Sequence, residues 1–207
     1  MFVKMDKLLY QGRASIRIVT RKERVIYVDP FAGDGYDLPA DLILVTHEHF
    51  DHNAIDSIPS RNSGCRVIRS KDAISGNGYN KFDLGFAKIK PVPAGNNRNH
   101  SVKECVGYII ILESGVSIYV SGDTSTTSYM DDISKMDIDY AFYCCDGVYN
   151  MDIEEAIKVA QKVGAKHSIP YHITGEITDE FDMDRAKKFR VKGSLILEYG
   201  QEIELIK

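Results

Sequence analysis

The chain has no apolar stretch approaching the ~20 residues that span a bilayer as a helix, which argues against a helical membrane protein. Its first seven residues, Met-Phe-Val-Lys-Met-Asp-Lys, lack the apolar core of a secretory signal, so a cytoplasmic protein is expected. There is no C-x-x-C spacing among Cys65, Cys105, Cys144 and Cys145, so a structural zinc knuckle has no support. Buried free thiols in a reducing compartment are the expectation instead. Linkers, low-complexity tracts and repeats are also missing. A length of 207 residues then suits one domain, covering 1–207. Nor is there a strong charge of either sign: the net charge of −4 offers no general attraction for nucleic acid or an anionic membrane. With 43% hydrophobic and 27% charged residues the composition is that of an ordinary globular protein.

What the chain does have is a concentration of metal-competent side chains. His47, His49, Asp51 and His52 fall within six residues, directly after the apolar residues 42–45, which read as a short buried strand. In an extended stretch, side chains two apart point the same way, so His47 and His49 can grip one ion. Asp51 and His52 follow where the chain must turn and can face a second. Imidazole and carboxylate together suit zinc and similar divalent ions.

Three more candidates sit beside predicted strands, where open sheets place their chemistry. His100 precedes the strand-like Val106–Leu112, Asp123 follows the alternating residues 116–120, and His172 ends the apolar residues 169–171. Singly, Asp123 can cap a turn and a lone histidine can be a core residue. Together with residues 47–52 they describe a metal centre.

With these residues assembled, the chain resembles the metallo-β-lactamase-fold hydrolases. The H-x-H-x-D-H pattern is intact as His47, His49, Asp51 and His52, and His100, Asp123 and His172 follow in the superfamily's order. Within it, the chain is most similar to the branch of small zinc-dependent hydrolases containing ascorbate-6-phosphate lactonase. That likeness rests on Val28-Asp29-Pro30, on residues 118–124 and on residues 147–151. The resemblance implies a mixed α/β fold, a four-layer αββα sandwich. It also implies two divalent ions, zinc in the first place with manganese or iron as alternatives. His47, His49 and His100 would hold the first ion, Asp51, His52 and His172 the second, and Asp123 would bridge them. Two departures matter. True β-lactamases lack a bridging carboxylate at the position of Asp123, and flavodiiron-type reductases carry a glutamate at that of His49.

Two divalent ions, two carboxylates and one bridging hydroxide leave a site about one charge positive, with bound water ionised near neutral pH. Such a site suits hydrolysis of a phosphoester, lactone or other ester in an anionic small substrate, and the resemblance gives Asp51 a proton-relay role. The alternatives are a nucleic-acid phosphodiesterase of the ribonuclease Z kind and a non-catalytic metal-binding module. The chain has little room for the insertion ribonuclease Z-type enzymes use to grip RNA. Oligomeric state is not legible.

Asp29 is placed either to accept the second N–H of a metal-bound histidine or to cap the turn at Pro30. Glu48 is expected in solvent, His167 in packing at a strand start, Asp146 and Tyr149 at a pocket rim or in a turn, and Arg98 in a solvated loop or against a substrate anion. Residues 16–19 and Val25–Val28 read as an antiparallel pair, and residues 140–145 as a strand. The helix Ile153–Val163 has Asp152 as cap, Glu155 in a capping box and Gly164 as stop. A second helix begins after Asp182. Residues 195–199 and 203–206 read as a closing hairpin, and residues 75–80 as a loop bordering a pocket.

Overall fold

The computed structural model describes residues 4–76, 78–174 and 180–207. The first half of the chain lays down Asp6–Gly12 (β1), Ser15–Val19 (β2), Val25–Val28 (β3), Ala40–Leu44 (β4) and Arg61–Ile68 (β5). After the one-turn helix Ser70–Ala73 (α1) come the short Ile74–Ser75 (β6), Gly78–Tyr79 (β7) and Phe82–Asp83 (β8). Ala87–Pro93 (β9), Val106–Leu112 (β10), Ser117–Val120 (β11), Tyr140–Cys144 (β12) and His167–Tyr171 (β13) follow, and Gln201–Leu205 (β14) closes the chain. The helices Met130–Ile133 (α2), Ile153–Val163 (α3) and Met183–Ala186 (α4) are interspersed among the later strands.

Among the described residues twelve strands form two six-stranded sheets, ordered β14-β1-β2-β3-β4-β5 and β13-β12-β11-β10-β9-β8, while β6 and β7 pair apart from them. Strand alternation explains why they stack. In β3 and β4, Ile26, Val28, Leu42 and Leu44 face the core shared with the second sheet, while Val25, Tyr27, Ala40 and Ile43 face a smaller cluster outside. Buried on both sides, these strands carry near-continuous apolar residues, as strands paired in parallel do. The outer cluster is closed by Tyr36 and Leu38 and by Ile55 and Ile58 around a 3-10 turn, so a loop does the covering there. On the other side, α3 presses Ala156, Val159, Ala160 and Val163 onto the core, next to β12. The sandwich expected of the fold is present, with unequal outer layers.

Several sequence expectations meet the structure closely. β10 and α3 have the bounds read from the sequence, β2 and β3 pair antiparallel, and Asp182 caps α4. Asp152 accepts the Glu155 N–H at 2.8 Å and Gly164 ends α3 in the left-handed region. The capping box is incomplete, however. Glu155 turns its carboxylate to the N–H and hydroxyl of Thr126, both at 2.7 Å, and so tethers the loop after β11 to α3. The closing hairpin is also corrected. β14 pairs antiparallel with β1, and residues 195–199 form no strand. Leu197 is fully buried and Leu195 N–H bonds the Ser168 carbonyl, so the segment fills the core beside the second sheet rather than pairing with its neighbour in sequence. Residues 75–76 and 78–80 include the β6–β7 pairing, while Asn77 lies outside the described residues.

Candidate metal centre

The two sheets meet at one edge, and the metal-competent residues collect there. Val106 N–H at the start of β10 bonds the Thr46 carbonyl just past β4 at 3.0 Å, locking the two layers together beside the histidines. Gly122 makes that approach possible. Its φ is +62°, and a Cβ would lie 2.8 Å from the Val106 carbonyl oxygen and 3.0 Å from Thr46 Cβ. Asp123, the next residue, is thereby delivered into the centre.

All seven predicted residues converge. His47, His49 and His100 form one group, Asp51, His52 and His172 another, and His47, His52 and Asp123 a third that joins them. Within each group one ligand atom per residue lies within 4.8 Å of the others. His52 Nε2 is 3.4 Å from Asp123 Oδ1, and His100 Nε2 is 3.4 Å from Asp123 Oδ2. His172 Nε2 is 3.6 Å from Asp51 Oδ2 and 3.8 Å from Asp123 Oδ1. The turn needed to aim Asp51 and His52 is closed by the His52 N–H on the His49 carbonyl.

The buried polar atoms of the centre are left in a state that cations fit. Buried polar atoms are nearly always hydrogen-bonded. Yet His47 Nε2, His52 Nε2, both ring nitrogens of His172 and Asp123 Oδ1 are buried with no hydrogen-bond partner among the described residues. Several of the opposite ring nitrogens are tied up. His52 Nδ1 lies 2.9 Å from Asp29 Oδ2, His47 Nδ1 lies 3.1 Å from the Thr46 hydroxyl, and His100 Nδ1 lies 3.2 Å from Asn97 Oδ1. The Thr46 hydroxyl hydrogen is already given to Asp29 at 2.6 Å, so His47 Nδ1–H donates to it and Nε2 carries the lone pair. Orphaned lone pairs of imidazole and carboxylate directed at a shared space are a donor set for divalent ions.

The charges of the metal-free protein agree. Burial pushes the His47 imidazole down to about 2, aided by the neighbouring His52, so it is neutral at working pH. Burial, the main cause, lowers the His100 imidazole too. At His52 burial also works against a proton, but Asp123 and Asp29 overcome it and hold its pKa well above the usual histidine range. His172 is likewise raised, burial being outweighed by the carboxylates of Asp123 and the nearby Asp51. Burial alone would raise Asp51 and Asp123, yet the imidazoles of His172 and His52 hold both carboxyls below the ordinary range. Protons thus occupy the electrostatic place of cations.

Asp29 answers the question the sequence left open. Its side chain is fully buried and accepts from Thr46 N–H at 2.7 Å, the Thr46 hydroxyl and His52. The turn at Pro30 is held by another group: Ser15 Oγ donates to the Asp29 carbonyl and accepts from the N–H groups of Phe31 and Ala32. Glu48 is exposed and pairs with Arg69 at 2.6 Å, His167 stacks on Tyr140 at the start of β13, and Arg98 is exposed in its loop. Asp146 Oδ1 accepts from the N–H groups of Val148, Tyr149 and Asn150, the mark of a turn residue. Tyr149 stands 60% exposed.

Two contributors escaped the sequence reading. Arg13, in the β1–β2 turn, donates to Asp51 Oδ2 at 2.9 Å, and its carbonyl accepts the His172 N–H at 3.0 Å. Asn150 donates to Asp123 Oδ2 at 2.8 Å. Arg13 sits in no motif, and Asn150 lies in the segment 147–151 that carries the family likeness, where nothing points to Asp123. The one local signal was Gly12-Arg13-Ala14 as a hairpin turn, which says nothing of its distant partners. Backbone geometry does mark the region: Arg13, Asp29 and His172 have φ values of 45°, 46° and 54°, unusual for residues with side chains. Such residues cost of order 1–3 kcal/mol each and persist where surrounding contacts dictate them.

A cleft of about 490 Å³ opens on the His47–His49 side, with Ser70, Lys71, Asn99, Ser101 and Lys103 on its walls.

Residues 7–172 match the beta-lactamase superfamily domain. A UPF0173 metal-dependent hydrolase of Thermococcus onnurineus is 28% identical over 97% of this chain and 100% of its own length. Another from Rubrobacter xylanophilus is 30% identical over 80% of this chain and 81% of that protein. In structure, the metallo hydrolase Igni18 of Ignicoccus hospitalis superposes with a TM-score of 0.76 at 19% identity, covering 98% of this chain and 99% of that one.

Proposed function

The chain belongs to the beta-lactamase superfamily and, with the UPF0173 proteins, is a metal-dependent hydrolase; from that membership we propose that it uses two divalent ions to cleave a phosphoester, lactone or other ester. The carrying observation is the set of orphaned, buried ring nitrogens and the Asp123 oxygen aimed at one space. In this reading His47, His49 and His100 hold one ion, Asp51, His52 and His172 the other, and Asp123 serves both. Zinc fits the donor set best, with manganese or iron as substitutes. When bound, the ions would supply a hydroxide at neutral pH and offset negative charge developing on the substrate. The chain's own residues do the rest. Asp29 and Thr46 fix the tautomers and planes of His52 and His47, and Arg13 steadies Asp51, the candidate for moving the proton.

The substrate in this reading is a small anion. Lys71 and Lys103 line the cleft beside His47 and His49 with the hydroxyls of Ser70 and Ser101, while Glu104 is the opposing charge and Glu48 is already paired with Arg69. Likeness of Val28-Asp29-Pro30 and residues 118–124 and 147–151 to the ascorbate-6-phosphate lactonase branch points toward lactones or sugar esters. We read residues 1–207 as one domain. Among the described residues no helix is long and apolar enough to cross a membrane.

Elemental analysis of the purified chain, with assays of lactone and phosphodiester hydrolysis before and after chelation, tests the proposal. Two equivalents of metal and chelator-sensitive turnover are expected, both lost in Asp123→Ala. A chain that binds no divalent ion, or an Asp123→Ala variant with unchanged stoichiometry and turnover, defeats it. Cleavage of nucleic acid alone would move the substrate class to polynucleotides.

A further inference from the structure

The two oxygens of Asp123 live in different surroundings. Oδ1 is buried without a hydrogen-bond partner among the described residues and lies 3.4 Å from His52 Nε2 and 3.8 Å from His172 Nε2. Oδ2 is held by the side-chain amide of Asn150 at 2.8 Å and lies 3.4 Å from His100 Nε2. The same Asn150 nitrogen donates to Asp146 Oδ2 at 2.7 Å. An amide nitrogen has two hydrogens, so one goes to each carboxylate and the orientation of the amide is fixed by its acceptors. Asp146 is anchored in turn. Its Oδ1 collects the three N–H groups of residues 148–150, and Arg185 from α4 donates to its carbonyl. A continuous polar chain therefore runs from Arg185 through Asp146 and Asn150 to Asp123.

We propose that Asn150 is a positioning residue for Asp123: by holding Oδ2 it sets the carboxylate plane, turning Oδ1 toward His52 and His172 while Oδ2 stays beside His100. The inference rests on the metal reading above. A carboxylate on a single Cβ–Cγ bond rotates through a broad range of planes when unrestrained, and a ligand must meet its ion in one of them. Asn150 removes that freedom without adding charge. An acid at this position would set a third carboxylate against two others. A lysine would neutralise the carboxylate the ions need.

The test is metal binding rather than turnover. Purified apoprotein is titrated with cobalt(II) and followed by calorimetry and by the visible d–d absorption of the bound ion. Asn150→Ala, and Asn150→Leu as a variant of similar volume without the donors, are compared with Tyr149→Ala, an exposed neighbour on the same loop. The expected result is cobalt affinity about 10–100-fold weaker in both Asn150 variants, the range for loss of a group that orients a ligand. An altered d–d spectrum and unchanged behaviour of Tyr149→Ala are expected with it. Wild-type affinity and spectrum in either Asn150 variant that folds would overturn the inference, as would an equal loss in Tyr149→Ala, which would assign the effect to the loop as a whole. If wild-type protein bound no cobalt, the metal reading itself would fail. Normal wild-type binding with indifferent Asn150 variants fails this inference alone.

Discussion

The two ligand groups use similar side chains in opposite settings. His47 and His49 of the first group line the open cleft, and His49 is exposed to solvent. Asp51, His52 and His172 do not line that cleft and are tied into the fold instead. His52 is fully buried on Asp29, Asp51 is gripped by Arg13, and the His172 backbone is latched to the β1–β2 turn through Arg13 and Tyr10. The first group can exchange ligands with solvent. The second doubles as structure, so its residues serve folding and chemistry together.

Removing one histidine from each side is the strongest way to break that comparison. His52→Ala strands the buried Asp29 carboxylate, and breaking a buried pair costs about 3–5 kcal/mol. His49→Ala removes an exposed ring and should leave stability within about 0.5 kcal/mol while still impairing metal uptake. Denaturant unfolding of the two metal-free variants measures the difference, and equal losses would erase the distinction. Asp29→Asn is gentler. It keeps the shape but leaves one of three donors unmet, for about 1–3 kcal/mol and roughly a 10–100-fold drop in metal affinity, read by thermal melting and metal titration.

The pH response sharpens the contrast. His52 and His172 have pKa values raised above the unfolded histidine value of about 6.5. Their contribution to the metal-free fold is therefore complete below that value and fades as pH rises through the raised ones. Metal-free protein should melt lower as pH climbs above neutral. Metal affinity should rise over the same interval, because a bound ion needs unprotonated imidazole. His47, neutral throughout, should contribute to neither slope. A flat metal-free profile would contradict the assignment. The smallest effect belongs to the cleft: Lys71→Ala with Lys103→Ala should raise KM for an anionic ester several-fold, a couple of rim charge contacts at up to about 1 kcal/mol each, with kcat and a neutral ester unaffected in steady-state assays.

Legibility in the sequence followed the range of the interaction. Residues 47–52 carry four ligand candidates by spacing, and α3 announces its ends through Asp152 and Gly164, because both signals are local. Val106–Leu112 reads as a strand because its apolar run is bounded on both sides. The contacts of Arg13 with Asp51 and of Asn150 with Asp123 join residues 38 and 27 apart, and no local pattern announces either pairing. The C-terminal error has the same origin. Alternation in residues 195–199 and 203–206 fits a hairpin, but Gly200 N–H bonds the Tyr10 carbonyl and β14 finds β1 at the far end of the chain.

By itself, then, the sequence determined the chemistry available: which side chains can bind a cation, in what order they occur, and that strands deliver them. Ligand spacing and strand alternation are periodic properties of the chain and need no partner to be read. Only the tertiary structure decided which lone pairs stay unpaired, which rings are neutral, and which neighbours hold Asp51 and Asp123 in place. Those outcomes depend on burial and on contacts between distant residues, and they exist only once the two sheets have closed on one another.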